Sequence, residues 1–131
     1  MKTITETELK NILDQHKLWL ESARKQGKQA NLEGANLMNA NLKDANLMHA
    51  NLEGAHLFGA YLKGAHLVCA NLVGAYLVNA YLKDANLKCA DLYDANLQGA
   101  HLEGTNLEGA DLMHANLDWA HRKTLQIQRF K

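Results

Sequence analysis

The chain has 131 residues and a formal net charge of zero, because Lys plus Arg and Asp plus Glu each total 14. This length suits one domain, and the charge balance gives the whole chain no preference for nucleic acid or an acidic membrane. The sequence has no apolar run of roughly 18 residues for a membrane span and no apolar secretory signal. We therefore expect a cytoplasmic protein. Ser22 is the only serine and lacks the flanking sequence of a catalytic nucleophile.

The first 29 residues predict one amphipathic helix over residues 6–26. Thr5 followed by Glu8 matches a capping box at its start, and Gly27 suits a left-handed cap at its end. The apolar residues at helical spacing are Leu9, Ile12, Leu13, Leu20 and Ala23, with Leu18 and Trp19 widening the stripe.

A five-residue repeat, Ala-(Asn/Asp/His/Tyr)-Leu-x-x, fills residues 30–119. Leucine occupies the third place of all 18 repeats and alanine the first place of 17, with Thr105 as the exception. A period of five fits neither an amphipathic helix nor a half-buried strand. It fits a solenoid with leucine and alanine inside and a turn at each fifth place, where 13 of the 18 residues are Gly, Asn or Asp.

Similarity between stacked residues indicates how many repeats make one coil. We compared fourth-place residues with each other, and fifth-place residues with each other, in repeats a fixed distance apart. The two residues are identical in six of 28 comparisons at a spacing of 20 residues, but in one of 30 at a spacing of 15. The longer spacing favours four sides per coil. With strands ~4.8 Å apart, the 18 repeats would form about 4.5 coils and a rod roughly 22 Å long.

The Ala-Asn-Leu-x-x pattern, as at residues 35–37 and 95–97, resembles the pentapeptide repeat family over about 90 residues. The resemblance implies a right-handed, four-sided parallel β-helix with leucine and alanine packed inside. The predicted fold is therefore an all-β solenoid with an N-terminal α-helical cap. Its predicted parts are a capping helix over 1–29, the β-helix over 30–119 and a C-terminal capping tail over 120–131.

Both ends of a β-helix need cover, because an open end exposes core leucines and unpaired strand groups. We expect residues 6–26 to lie across the first coil; docking of this helix on another protein is the alternative. The alternating segment 124–128 predicts a strand that shields the other end or forms a dimer contact. A monomer and an end-to-end homodimer both remain open.

Candidate ligands for a metal fall into one column formed by His49, Cys69 and Cys89. Side chains on parallel rungs do not converge on one ion, so we expect no metal and no cofactor. Free thiols are expected in preference to a Cys69–Cys89 disulfide. A second column is interpreted as an outer ladder of rings rather than a ligand site; its members are Tyr61, Tyr81, His101 and His121.

No pattern in the sequence indicates catalysis. Asp91 and Asp111 are stacked, but the expected convex surface offers no cleft for acid–base chemistry. The sequence contains no phosphate-binding loop, dinucleotide fingerprint or zinc-protease motif. We predict that the protein is not an enzyme.

A belt of apolar residues around the middle coils is the candidate partner surface. Lys43, Lys63 and Lys83 form a column on one side, and apolar residues take outward places on the other sides. The belt comprises Met38, Met48, Phe58, Val68, Val73, Tyr76, Val78 and Tyr93. Because the core does not need them, we expect them to bind a protein partner of unknown identity; ordinary variation among repeats is the alternative.

These patterns predict a non-catalytic structural or protein-interaction module. The family resemblance implies an alternative, since some pentapeptide repeat proteins imitate duplex DNA and bind DNA gyrase, inhibiting it or protecting it from drugs. The repeat carries ten acids and four lysines, a net charge of −6. Duplex DNA of the same length, roughly 22 Å, carries roughly 13 negative charges, and this deficit favours the interaction module.

Overall fold

The computed structural model describes residues 2–122 of the chain. In chain order it contains strand β1 (Lys2–Thr3), helix α1 (Glu6–Glu21) and strand β2 (Ala35–Asn36). β2 belongs to the first of a series of coils joined through parallel bridges. The described helix is too short and too polar to cross a membrane. The strand predicted over 124–128 lies outside the described residues.

Successive coils pair in parallel at an offset of 20 residues. Asn31 bridges Asn51, which bridges Asn71, and the same offset continues to the last described bridge, between His101 and His121. The predicted β-helix solenoid and the preference for 20 residues over 15 are confirmed. Pairing also extends two residues beyond the predicted end of the repeat, because a backbone bridge does not require leucine in the third place.

Four sides result from this offset, and each is named here by its first repeat. Side 1 begins at 30–34, side 2 at 35–39, side 3 at 40–44 and side 4 at 45–49, and each continues every 20 residues.

Each corner is a four-residue turn with a left-handed residue at the fifth place. All 18 fifth places have positive φ, between 57° and 71°. The next alanine N–H donates to the preceding leucine carbonyl, as Ala35 does to Leu32 at 3.0 Å. Positive φ at the third residue of a turn favours Gly and Asn, which explains most fifth-place residues. The others adopt the same geometry, so coil pairing overrides their preference; they are His49, Cys69, Cys89, His114 and Trp119.

The core consists of the leucines and alanines that the repeat predicts inside. The third-place leucines from Leu32 to Leu107 are at most 2% exposed. Thr105, which interrupts the alanine column, is also buried, and its hydroxyl donates to the carbonyl of Leu82 at 2.6 Å. The substitution therefore leaves no unsatisfied hydroxyl in the core.

The second place of the repeat has a role that the sequence analysis did not identify. In all 12 repeats with Asn or Asp there, a side-chain oxygen accepts from the backbone N–H two residues on, at 2.9–3.2 Å. Asn31 and Glu33 form the first such pair. This bond satisfies an amide within the turn that the coil-to-coil pairing does not use.

Helix α1 begins as predicted and ends earlier. The hydroxyl of Thr5 accepts from the N–H of Glu8 at 3.1 Å, which confirms the N-cap. The helix ends at Glu21 rather than at residue 26, because Ala23 and Arg24 have positive φ, 56° and 70°. The predicted Gly27 cap is therefore wrong.

The end of α1 is fixed by Ser22. Its N–H donates to the carbonyl of Leu18, and its hydroxyl oxygen accepts from the N–H of Gln26 at 2.9 Å. These bonds fold residues 22–26 back on the last helical turn. Ala23, predicted to belong to the apolar stripe, lies outside the helix and is exposed.

The N-terminal segment lies against the first coil. β1 pairs with β2, Lys2 opposite Ala35 and Thr3 opposite Asn36, and adds a rung to side 2 that the sequence analysis did not predict. Leu9, Ile12 and Leu13 of α1 pack against the leucine core, as predicted from their spacing; Ile4, before the helix, joins them.

His16 is the residue of α1 that is fully buried. Its Nδ1 accepts from the N–H of Ala30 and its Nε2 donates to the carbonyl of Met48, both at 2.9 Å. These two bonds require a neutral ring with the proton on Nε2. Burial lowers the pKa of His16, and nearby His49 lowers it further, against the opposing effect of the Met48 bond.

Candidate interaction surface

The 20-residue offset distributes the predicted apolar belt over three sides. Side 2 carries Met38, Phe58, Tyr76 and Val78, side 4 carries Met48 and Val68, and side 1 carries Val73 and Tyr93. The largest group therefore lies on side 2, where it spans three successive rungs.

Ring contacts hold the middle of side 2 together. The rings of Phe58 and Tyr76 are stacked, with centroids 5.8 Å apart and planes at 12°. His56, which the sequence analysis did not assign to this surface, stacks on Tyr76 at 4.7 Å and on Phe58 at 6.2 Å. We call Met38, His56, Phe58, Tyr76 and Val78 the apolar face.

The apolar face is accessible and is not part of the core. Met38 is 50% exposed and Tyr76 is 40% exposed, whereas the leucines behind them are buried. Phe58 and Val78 are half-buried. Contiguous exposed apolar side chains mark many protein-interaction sites, whereas single ones are common on any surface.

The remaining belt residues are more dispersed. Met48 is half-buried, and its carbonyl belongs to the junction with α1 through His16. Val68 and Val73 are half-buried on different sides. Tyr93 contacts His114 edge-on, with centroids 5.4 Å apart. These residues do not form one patch with the apolar face.

Side 3, next to the apolar face along the chain, carries the lysine column. Lys43, Lys63 and Lys83 are exposed. Among residues 2–122 none of the three forms an ion pair; the two recorded pairs, Lys10–Asp14 and Lys17–Glu21, lie within α1. Side 3 therefore presents three unneutralised positive charges within a repeat whose net charge is −6.

The predicted ring ladder runs beside the lysine column and is confirmed. Tyr61 stacks on Tyr81 at 5.0 Å, Tyr81 on His101 at 4.8 Å, and His101 on His121 at 4.5 Å, with planes within 7°. An open groove of about 550 Å³ separates the rings from the lysines. Side 3 is therefore not uniformly convex, because outward side chains of both rows line this depression, but the depression is open to solvent and is not a cleft that excludes water.

The cysteines and the stacked aspartates, the other candidates for chemistry, occupy ordinary positions of the repeat. Cys69 and Cys89 are exposed free thiols at corner positions. Asp91 and Asp111 accept backbone bonds from Tyr93 and Met113, in the same way as second-place asparagines. Their stacking therefore follows from the repeat.

One set of potential metal ligands does come together on the described part of the chain. It comprises His101, Glu103 and His121, with one ligand atom from each within 4.8 Å of the others. Both histidines were predicted in the ring ladder, whereas Glu103 was not, because it occupies the fourth place of its repeat and the ladder occupies the second.

Comparison with known proteins agrees with the coil geometry. A model of pentapeptide repeats matches residues 28–54, 55–88 and 90–121, in eight copies. The chain is similar to the pentapeptide repeat protein Rfr23 of the cyanobacterium Cyanothece 51142, with 38% identity, coverage of 81% of this chain and 65% of that one, and a TM-score of 0.61. It is also similar to a pentapeptide repeat protein of Nostoc PCC 7120, with 28% identity, coverage of 97% and 98%, and a TM-score of 0.69.

A third similar structure is a pentapeptide repeat protein of the Arabidopsis thaliana thylakoid lumen. Its identity is 35%, the match covers 63% of this chain and 61% of that one, and the TM-score is 0.55. The chain thus spans less than two thirds of the Cyanothece and Arabidopsis proteins. None of the curated proteins matches it.

Proposed function

Because the chain belongs to the pentapeptide repeat family, we propose that it is a non-catalytic protein-interaction module of the cytoplasm. In this proposal the rod is right-handed, has about 4.5 coils and is covered at its first coil by α1. Its partner is a protein that binds across sides 2 and 3.

The observation that carries the proposal is the position of the apolar face beside the lysine column. Phe58 and Tyr76 offer stacked rings on side 2, while Lys63 and Lys83 extend from side 3 without a charged partner among the described residues. Aromatic anchors flanked by charge are typical of protein-binding surfaces. The complementary partner has apolar side chains beside a row of carboxylates.

Neither surface belongs to the core or to the backbone pairing between coils. The core is formed by inward leucines and alanines, and the coil-to-coil bonds are formed by the backbone. Substitutions on sides 2 and 3 should therefore change binding without unfolding the rod. This separation makes the proposal testable by surface variants.

The test is affinity capture from a lysate of cells that express the protein, quantified for wild type and variants in parallel. Phe58→Ser with Val78→Ser removes the apolar anchors, and Lys63→Glu with Lys83→Glu reverses the column. Val68→Ser and Lys88→Glu are matched controls on side 4. We expect an acidic protein to be captured by wild type and both controls, and at least tenfold less by either double variant.

Equal capture by all variants would contradict the proposal. If only the side 4 controls captured less partner protein, the binding surface would lie on side 4 instead. Circular dichroism of each variant checks that the coil structure is retained, so that a loss of binding is not a loss of fold.

DNA mimicry directed at gyrase is the weaker alternative. It requires a continuous negative surface, whereas side 3 carries three lysines and the whole repeat has a net charge of −6. Supercoiling by purified gyrase, with and without the protein, distinguishes the two functions. The interaction module predicts no change in supercoiling rate and no protection from gyrase inhibitors.

A further inference from the structure

We propose that His101, Glu103 and His121 form a binding site for a divalent transition-metal ion of the zinc class. One ligand atom of each residue lies within 4.8 Å of the other two. Among residues 2–122 this is the one group of three or more His, Cys, Asp or Glu side chains with such spacing. The site lies on side 3, at the end of the ring ladder farthest from α1.

The coil geometry explains why these three residues meet. His101 and His121 are bridged through the 20-residue offset and occupy the second place of consecutive rungs. Glu103 is in the fourth place of the same repeat as His101. Two imidazoles from one column and a carboxylate from the neighbouring row are thus brought close together.

The spacing is close to that of a coordination site. Three atoms within 4.8 Å of one another have a common point no more than about 2.8 Å from each, whereas Zn–N and Zn–O bonds are about 2.0–2.2 Å. Each ligand therefore needs to move by less than about 1 Å, which rotation of the side chains can supply.

The rings are stacked in the present conformation and must tilt to direct their nitrogens at one ion. Their centroids are 4.5 Å apart and their planes differ by 7°. His121 is exposed and is the last ring of the described ladder, so it has room to tilt. This distinguishes the cluster from the column of His49, Cys69 and Cys89, which is not brought together in this way.

Glu103 provides a second, independent indication. Its Oε1 is buried and has no hydrogen-bond partner on the described part of the chain. Lys83, in the preceding rung of the same row, makes no ion pair with it. Glu103 as a whole is half-buried, and coordination to a cation would satisfy this one unpaired oxygen.

The ligand set determines the class of ion. Two imidazoles and one carboxylate suit Zn²⁺ and Co²⁺, while Mg²⁺ and Ca²⁺ prefer sites made only of oxygen. Three protein ligands leave at least one position for water or for a group from a partner protein. The site shares side 3 with the lysine column, but none of its three ligands is one of those lysines or a residue of the apolar face.

The test is titration of the full-length, tag-free protein with Zn²⁺ by calorimetry, repeated with Co²⁺ by visible absorption. His121→Phe keeps a ring in the ladder but removes a ligand, and Glu103→Gln keeps the shape of the carboxylate side chain. His66→Phe is the matched control, an exposed second-place histidine on side 4. A variant with both cysteines replaced by serine tests the competing column.

We expect one Zn²⁺ per chain, no heat with Mg²⁺, and at least tenfold weaker binding in His121→Phe and in Glu103→Gln. His66→Phe and the cysteine variant should bind as wild type does. Absence of Zn²⁺ binding, unchanged affinity in His121→Phe or Glu103→Gln, or loss of binding in the cysteine variant would each overturn the proposal.

Discussion

At the scale of single residues, His16 joins α1 to the repeat through both ring nitrogens. Ala30 donates to one nitrogen and Met48 accepts from the other, so the two bonds distinguish the neutral ring from its protonated form. A proton added to Nδ1 would face the N–H of Ala30 without an acceptor. We therefore expect the contact between helix and coil to weaken when His16 is protonated.

The first prediction concerns the stability of the fold below neutral pH. Burial lowers the pKa of His16 in the folded chain below the ordinary histidine value of about 6.5, so the unfolded chain binds the proton more readily. The stabilisation by neutral His16 is fully present above about pH 6.5 and is lost progressively as the pH falls towards the folded pKa. Urea midpoints at pH 5.5 and 7.5 should differ more in wild type than in His16→Gln.

His66→Gln is the control for this measurement, because His66 is exposed and makes no comparable pair of bonds. It should keep the pH dependence of wild type. The same pH dependence in all three proteins would show that His16 does not control the stability of this junction.

The second prediction compares two left-handed glycines. Gly27 and Gly54 have φ of 73° and 63°, but a Cβ at Gly54 would have no heavy atom within 4 Å. A Cβ at Gly27 would collide with the backbone carbonyl of Gln15 and approach the backbone N of Trp19. Gly54→Ala should cost about 1 kcal/mol from the backbone angle alone, and Gly27→Ala clearly more.

The free energy of unfolding of both glycine variants, measured in urea, checks this comparison. Equal costs would show that the approach of Gly27 to α1 is relaxed in solution. The close approach also gives a reason for glycine at position 27, although the helix ends at Glu21 and Gly27 does not cap it. A side chain there would collide with the backbone carbonyl of Gln15.

At the scale of the structural elements, the coil is specified by a repeated pair of inward residues. Leu72 and Leu77 lie in the middle coils and are each 1% exposed. Ala70 and Ala75 beside them are equally buried, so the interior has space for one large and one small side chain per repeat.

The third prediction follows from this division of volume. Leu72→Ala should lower the free energy of unfolding by ~2–5 kcal/mol, since it removes buried surface and leaves a cavity. Ala75→Leu should destabilise by ~1–3 kcal/mol because the coil cannot expand without breaking its backbone pairing. Val73→Ala, one residue from Leu72 but outward, is the control and should cost less than either. Similar urea midpoints for all three would contradict the inward register.

The repeat could be predicted because the same constraint acts on it 18 times. Leucine, alanine and the corner residues recur with fixed spacing, and the sides occupied by the belt residues follow from the 20-residue offset. The N-terminal segment contains no such repetition. The end of α1 at Ser22, the pairing of β1 and the burial of His16 depend on contacts between different segments, which periodicity does not contain.

On the candidate surfaces too, periodicity predicted contacts within a column but not contacts between columns. The ring ladder was predictable because stacking follows a column. The contact of His56 with Phe58 and the approach of Glu103 to His101 were not, because each joins a second-place residue to a fourth-place residue. Such pairs depend on the direction of individual side chains across a rung.

At the scale of the whole molecule, the N-terminal segment packs against the first coil of the stack. β1 supplies backbone pairing on side 2, and the apolar residues Leu9, Ile12 and Leu13 of α1 pack against the leucine core. An uncovered β-helix end presents both strand edge and apolar core to other chains.

The fourth prediction is that removal of residues 1–26 causes association of the chains. The exposed first coil should stack on a second copy or aggregate, which light scattering after size-exclusion chromatography would detect. Leu9→Glu with Leu13→Glu in the full chain should shift the protein in the same direction, whereas the exposed change Lys10→Glu should not. A truncated chain that stays monomeric and as stable as the full one would show that the segment has another role.

The 20-residue offset makes the chain tolerant of some length changes and sensitive to others. Loss of 20 consecutive residues, such as 65–84, would leave every later residue on its original side and shorten the stack by one level. Loss of only five, such as 65–69, would preserve the interior but turn the later chain by a quarter of a circuit. Lys83 would then leave the row of Lys63, while His101 and His121 would move together. Insertions and deletions of five residues would therefore rearrange the outer surface of this protein while keeping leucine and alanine in its core.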